Sequence, residues 1–382
     1  MLLSILTEGL ERAAKFIAGA GDVEDITGYP KPLLDRILAV NRYGELTLLN
    51  YRDATPYILR EGGLEWTPFL RVCRGLVLDR RGAILSFPFH KFFNLNEHEE
   101  TSEQKVMRWQ IKTVTEKVDG VMIQVFKCGS ELVYASRHGI WSNAAKTAFE
   151  LAPPPAFAPI LKQIPFPRWT IVCELIHPEH RYKGMLNYGD LRALVLLAVR
   201  NLETLELISA VELFSDTPNP FLLPTTYTHD FWHLRSYIRD YPNFDFEGVV
   251  LQGAEEKGNL LVKMKTTAYI ERVRALKNIT PRKLLEVYKS FGIEGVDALI
   301  GGLEEFLEED IKNLRVQLKA KENMMVEQLN RFASKDVSEI PPQFRFVKTY
   351  EPYSQKWLQV LRNLVVSEIK KELQGNERTP AN

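Results

Sequence analysis

The sequence predicts an α+β protein in which a domain of antiparallel sheets precedes an all-helical C-terminal domain. Short apolar runs of strand period, separated by turn residues, recur between Leu46 and Lys265. Neighbouring runs are joined closely enough to pair antiparallel, as across Arg80-Arg81-Gly82. After about Thr266 the apolar spacing becomes helical. A chain of 382 residues exceeds one ordinary core. We place one domain at 1–268 and the helical domain at 269–382.

The first element is an amphipathic helix carrying Leu3, Leu6, Leu10, Ala13 and Ile17. Leu46–Tyr51 reads as a strand, and Arg74–Asp79 with Ala83–Phe87 as a hairpin. Next, Lys91-Phe92-Phe93-Asn94-Leu95-Asn96-Glu97 sets a lysine against aromatics; a buried aromatic loop with a snorkelling lysine is the plain alternative.

The stretch Lys117-Val118-Asp119-Gly120 then puts a lysine at the mouth of the strand Val121–Lys127. Such a lysine can serve as a covalent nucleophile once its ammonium is deprotonated, and the glycine lets backbone come close to a ligand. A second strand, Glu131–Ser136, ends at Arg137, a basic residue suited to a phosphate or to a solvated turn.

Trp169–Leu175 is an otherwise apolar strand carrying one carboxylate, Glu174, which calls for a cation, donor or metal. Ala193–Val199 is a plain buried strand, turned back at Asn201–Thr204. Glu247-Gly248 opens another apolar strand, and Leu260–Lys265 returns from it with Lys263 and Lys265 on one face. That pair needs an anion between its charges, unless it simply guards an edge strand.

Thr280-Pro281 opens a helix running to Gly292. Leu303, Phe306, Leu307, Ile311, Leu314 and Leu318 mark another, and Trp357, Leu361, Leu364, Val365 and Ile369 a later one. The tail from Gly375 is expected to be disordered.

The 49 basic and 49 acidic residues cancel, so any polyanion must be gripped by a local groove. Three scattered cysteines, Cys73, Cys128 and Cys173, suggest neither a disulfide framework nor a metal cluster, and with no basic leader or spanning segment we expect a cytoplasmic protein without a membrane partner.

Arg74, Lys91, Lys117, Glu174, Glu247, Lys263 and Lys265 all lie on strands or at their ends. A nucleoside triphosphate accounts for the set: phosphates need cations, their metal needs carboxylates, and transfer to lysine needs a nucleophile. In order, Arg74-Gly75, Lys91 to Glu97, Lys117 to Gly120, Glu174, Pro178 with Arg181, Glu247-Gly248 and Lys263-Met264-Lys265 resemble the motif series of the covalent nucleotidyltransferases. The likeness is greatest to the ATP-dependent RNA ligase 1 family of bacteriophage tRNA-repair ligases, strongly over roughly residues 45 to 275.

The resemblance implies a ligase adenylation fold and an enzyme that joins 5′-phosphate and 3′-hydroxyl RNA ends through lysyl-AMP and an adenylylated RNA 5′ end. It makes Lys117 the nucleophile, with Lys263 and Lys265 neutralising the α-phosphate and lowering the pKa of Lys117. Arg74 and Lys91 would meet the triphosphate or the RNA 5′ phosphate, and Glu247 the ribose hydroxyls or the metal shell. Glu174 would hold Mg²⁺ (or Mn²⁺). Tyr51, Phe93, Asp119, Gly120, Arg137 and Gly248 join the nucleotide site, and Tyr269 resembles an aromatic position just beyond the paired lysines.

RNA, as single-stranded ends or a broken tRNA loop, is the implied partner of an expected monomer, in a host cytoplasm if phage-encoded. Arg137, His177, Tyr182 and Ala268 depart from the family pattern. A DNA ligase or GTP-dependent capping enzyme is the enzymatic alternative, but either would continue into an OB-fold, and no run of short strands follows Lys265. A catalytically inactive nucleic-acid-binding scaffold is the other alternative.

Overall fold

The computed structural model describes residues 1–181, 186–214, 221–243, 245–301, 307 and 309–376. They form two compact units, one of residues 1–181 and 186–270 and the other from 271 onward, with the boundary inside the helix Thr267–Asn278.

The first unit bears out the α+β expectation. Its strands are β1 (Leu38–Tyr43), β2 (Leu46–Tyr51), β3 (Arg74–Asp79), β4 (Ile84–Ser86), β5 (Phe93–Asn94), β6 (Ile111–Glu116) and β7 (Val121–Cys128). After them come β8 (Glu131–Ser136), β9 (Trp169–Ile176), β10 (Ala193–Asn201), β11 (Leu207–Ser209), β12 (Gly248–Gly253) and β13 (Leu261–Lys265). They make one sheet in the order β1-β2-β3-β4, a second in the order β11-β10-β9-β7-β8 and a third in the order β5-β13-β12-β6. All pairings are antiparallel except the short contact of β5 with β13.

The helix Leu2–Ala18 buries Leu2, Leu6, Leu10 and Ala13 and stops at Gly19, whose φ of 65° is open to glycine. The run Val121–Phe126 of β7 is buried throughout because both faces of its sheet are covered, Ile123 and Val125 entering a core with Ile171 and Cys173 and Phe126 one with Leu48 and Val77. Strand β6, which leads into Lys117, is not predicted by periodicity. It lies at the end of the third sheet, and only Val114 among its residues is fully buried.

Strand β13 is interior, between β5 and β12, which excludes the edge-strand reading of Lys263 and Lys265. Val262 and Met264 enter a core with Phe246, Val249 and Leu251, leaving the lysines on the opposite face.

The second unit is helical. The helix Pro281–Ile300 starts on a Thr280 cap and runs past the expected stop, with Gly292 breaking its geometry at φ 73°. The helices Glu309–Phe332 and Gln355–Asn376 join it around Leu284, Leu314, Leu318, Trp357, Leu361 and Ile369. Leu303, Phe306 and Tyr182 lie outside the described residues, as does the tail beyond Asn376. Among the described residues no helix is long and apolar enough to cross a membrane.

Candidate active site

The turn Lys117–Gly120 carries the chain from the third sheet to the second, and strand register gathers the site around it. Lys117 follows β6, and its N–H donates to the Gly248 carbonyl at 2.8 Å, at the start of β12. Gly248 in turn faces Lys265, and Val250 faces Lys263. Residues from distant parts of the sequence thus meet at one sheet end.

There Lys117 Nζ donates to Glu247 Oε2 at 2.8 Å, and Lys265 Nζ lies 2.7 Å from Oε1 of the same carboxylate. Glu247 is only 1% exposed, so two ammoniums neutralise one buried carboxylate. Burial alone would raise its pKa, but Lys117 and Lys265 overcome that and hold it below the ordinary range.

The expectation for the nucleophile needs correction. Burial pulls the Lys117 ammonium toward lower pKa, but Glu247, Glu174 and Asp119 outweigh it and raise the value above that of an ordinary lysine. Without nucleotide, the carboxylates rather than the neighbouring lysines set its charge. The depressed lysine is Lys263, held well below its usual range by burial first and then by Lys91, Arg74 and Lys117.

On the second sheet, β9 pairs Glu174 with Met122 of β7, close to the same turn. Glu174 Oε1 accepts the Gly120 N–H at 3.2 Å. Burial pushes its carboxyl up to about 7, against the pull of Lys117 and Arg74. Gly120 is required by the protein itself: a Cβ there would stand 2.4 Å from the Leu175 carbonyl oxygen and 2.8 Å from Glu174 Cγ. The close approach expected toward a ligand is therefore made toward β9.

Asp119 points away from the cavity wall. Its carboxylate accepts the Leu186 N–H at 2.8 Å and the Tyr269 hydroxyl at 3.1 Å, while its own N–H donates to the Tyr188 hydroxyl at 3.1 Å. Burial, then the Glu247 charge, pushes it up to about 6. Asp119 fastens the turn. Tyr188 carries no sequence signal; only the fold brings it here. The Tyr269 ring also lies 5.0 Å from Lys265 Nζ.

A cavity of about 300 Å³ opens beside these groups, lined by Tyr51, Arg74, Lys117, Arg137, Glu174, Lys263 and Lys265. Phe89, Phe92, Leu197, Ala198 and Val250 also line it. Cations and apolar side chains in one cavity suit a ligand with phosphates and a flat base. Arg74 Nη1 donates to Met122 Sδ at 3.2 Å, and Arg137 reaches over the Tyr51 ring at 5.7 Å while pairing with Asp53.

Lys91 and Phe93 are not in that lining. Phe93 is 2% exposed and stacks on His98 at 4.3 Å, while Lys91 Nζ sits 4.1 Å from the Phe93 ring and 3.2 Å from Glu97 Oε1. Lys91 is therefore a fully buried, paired cation rather than a snorkelling one. The neighbouring Phe92 takes the cavity position, its ring 4.8 Å from Lys263 Nζ.

Residues 72–269 match the model of the family described as RNA ligase. The RNA ligase 1 of bacteriophage TS2126 is 30% identical over 288 residues, which span 71% of this chain and 68% of that one. The chain belongs to the RNA ligase family. It is accordingly an ATP-dependent RNA ligase, and the alternatives of a DNA ligase, a capping enzyme or an inactive scaffold are not favoured. A putative RNA ligase of Thermovibrio ammonificans is 32% identical to this ligase over 90 residues, 23% of this chain and 22% of that protein. Among solved structures, a mutant Naegleria gruberi RNA ligase with ATP and Mn is 14% identical with a TM-score of 0.38, over 48% of this chain and 58% of that one.

Proposed function

We propose that this ligase activates RNA 5′ ends by way of AMP carried on Lys117. The observation that carries the reading is the contact of Lys117 and Lys265, both in the cavity lining, with the single buried carboxylate of Glu247. In the first step Lys117 Nζ, having given up its proton, attacks the α-phosphorus of ATP. The nitrogen–phosphorus bond forms as the bridging oxygen leaves with pyrophosphate.

Lys263, Lys265 and Arg74 offset charge on the phosphate oxygens. Arg137 and Tyr51 lie along the same wall. Glu247 holds Lys117 and Lys265 in place until the nucleotide's phosphates compete for them, and it is then free to accept from ribose hydroxyls. AMP next passes to an RNA 5′-phosphate, and a 3′-hydroxyl displaces AMP to leave a phosphodiester. In-line displacement with fixed cations serves each step, so no separate triad is needed.

Glu174 is the residue we assign to Mg²⁺ or Mn²⁺. Its carboxylate oxygens would take one or two places on the ion, and waters and phosphate oxygens the others, as suits a hard cation. When bound, the ion supplies positive charge at the phosphates. The adenylyltransferase activity belongs to residues 1–268, and 269–382 forms the helical domain. We further expect a monomer acting on single-stranded ends or a broken tRNA loop.

Incubation with ATP labelled at the α-phosphate and Mg²⁺ should yield one covalent AMP mapping to Lys117. Chasing the adduct with 5′-phosphorylated RNA should release it and produce sealed RNA. A folded protein that forms no adduct would overturn the reading. Adduct formation from GTP alone, or sealing of nicked DNA but not of single-stranded RNA, would redirect it.

A further inference from the structure

We propose that Trp141 and Tyr43 form a stacking platform for bases of the single-stranded RNA adjoining the 5′-phosphate being activated; this rests on the ligase reading above. Arg137 marks the rim of the cavity, since it belongs to the lining yet pairs with the exposed Asp53. Trp141 is on the same tight turn. Ser136 N–H donates to the Gly139 carbonyl at 3.0 Å, Ala135 bridges to Ile140, and Trp141 N–H donates to the Tyr134 carbonyl at 3.0 Å.

Four residues of chain reach at most about 14 Å. At about 3.4 Å per stacked nucleotide, Trp141 thus lies within roughly four nucleotides of Arg137. An RNA whose 5′-phosphate enters beside Arg137 has its next bases within reach of the indole.

The indole is 39% exposed, and its backbone φ of 52° falls in the left-handed region that bulky residues rarely adopt. Behind it the Tyr134 and Phe149 rings stand at 5.7 and 5.5 Å, and the Tyr134 hydroxyl is tied to the Ala152 carbonyl at 2.7 Å. A large ring held toward water on a rigid backing can receive another flat group. Tyr43, also 39% exposed, joins the same surface, because its hydroxyl packs on Gly139, only 2.7 Å from where a Cβ would stand.

Charge selects the occupant. Asp53 is already paired with Arg137, and Glu45 with Arg80. Lys146, in the helix Asn143–Leu151 that follows Trp141, is exposed and has no acidic partner among the described residues, which leaves it for a phosphate. Aromatic faces among cations, continuous with a phosphate-binding cavity, fit a single RNA strand better than an uncharged peptide.

The test compares wild type, Trp141→Ala and Trp141→Phe by thermal unfolding, by AMP adduct formation without RNA, and by steady-state sealing of a 5′-phosphorylated single-stranded RNA. Adduct formation should be unchanged in both variants. The KM for RNA should rise about tenfold in Trp141→Ala with kcat within about twofold, and Trp141→Phe should restore most of it. RNA made abasic at its second to fourth nucleotides should raise KM for wild type but not further for Trp141→Ala. An unmoved KM, as expected if this face serves a protein partner instead, would overturn the platform. So would wild-type indifference to the abasic sites, which is readable even if a variant unfolds. If wild type forms no adduct, the ligase reading itself fails; if it forms the adduct and seals while Trp141 is indifferent, only the platform fails.

Discussion

The Lys117 ammonium donates to Glu247 Oε2 at 2.8 Å, so the proposed nucleophile rests as a salt-bridged cation. Attack on phosphorus requires a free amine, and the ion pair must therefore be broken before chemistry. Nucleotide binding can begin this, because its phosphates compete with Glu247 for Lys117 and Lys265.

Lys117→Ala should abolish the AMP adduct at little cost to the fold. Lys265 still neutralises Glu247 at 2.7 Å, so the loss of one hydrogen bond to the carboxylate should cost about 1–3 kcal/mol. Mass spectrometry after incubation with ATP, alongside thermal unfolding, checks both parts.

Glu247→Gln removes the anion that raises the Lys117 pKa and leaves two ammoniums facing a neutral amide. We expect a loss of about 3–5 kcal/mol, as for breaking a buried ion pair. Acylation of Lys117 by an amine-directed reagent, followed against pH, should begin at lower pH in this variant than in wild type. Unchanged Lys117 reactivity would remove Glu247 as the group that holds the proton on the lysine.

Asp119 and Glu174 have folded-state values raised to about 6 and about 7, above those of carboxyls in an unfolded chain. Carboxyls raised in this way favour the fold below their unfolded pKa near 4, and that stability is lost as pH rises through the folded values. For metal-free protein, this contribution should therefore decline between about pH 4 and pH 7. Glu174→Gln should flatten the decline, as measured by denaturant unfolding across that range.

Gly120→Ala and Gly248→Ala should both damage the site through backbone. The first puts a methyl 2.4 Å from the Leu175 carbonyl oxygen, and the second puts one 2.0 Å from the Met264 carbonyl oxygen at a φ of 141°. Each should lower stability by about 1–3 kcal/mol, the Gly248 variant more, since it combines a clash with left-handed strain. Thermal unfolding together with the yield of AMP adduct would show it.

Helices and strands with a buried stripe were legible because burial imposes their period: β2, β3, β7, β8 and β9 follow the alternation or the apolar runs of the sequence. Strand β6 was not legible, since only Val114 of its residues is fully buried and its register comes from pairing with β12. The same holds within Lys91-Phe92-Phe93. The sequence cannot say which phenylalanine faces the cavity, because β5 is two residues long and docks through β13.

The sequence by itself determined which residue types were available and in what order: a lysine before a glycine turn, carboxylates opening or interrupting apolar strands, and paired lysines on one strand face. Arg74, Glu174, Lys263 and Lys265 lie on strands, and Lys117 and Glu247 directly beside strand ends. Only the tertiary structure decided how the charges pair. The registers of β12 with β13 and with β6 put Lys265 and Lys117 on the same Glu247, turning one expected pKa-lowering neighbour, Lys265, into a joint holder of one carboxylate. Coulomb energies depend on distances between residues far apart in the chain, and no local pattern encodes those distances.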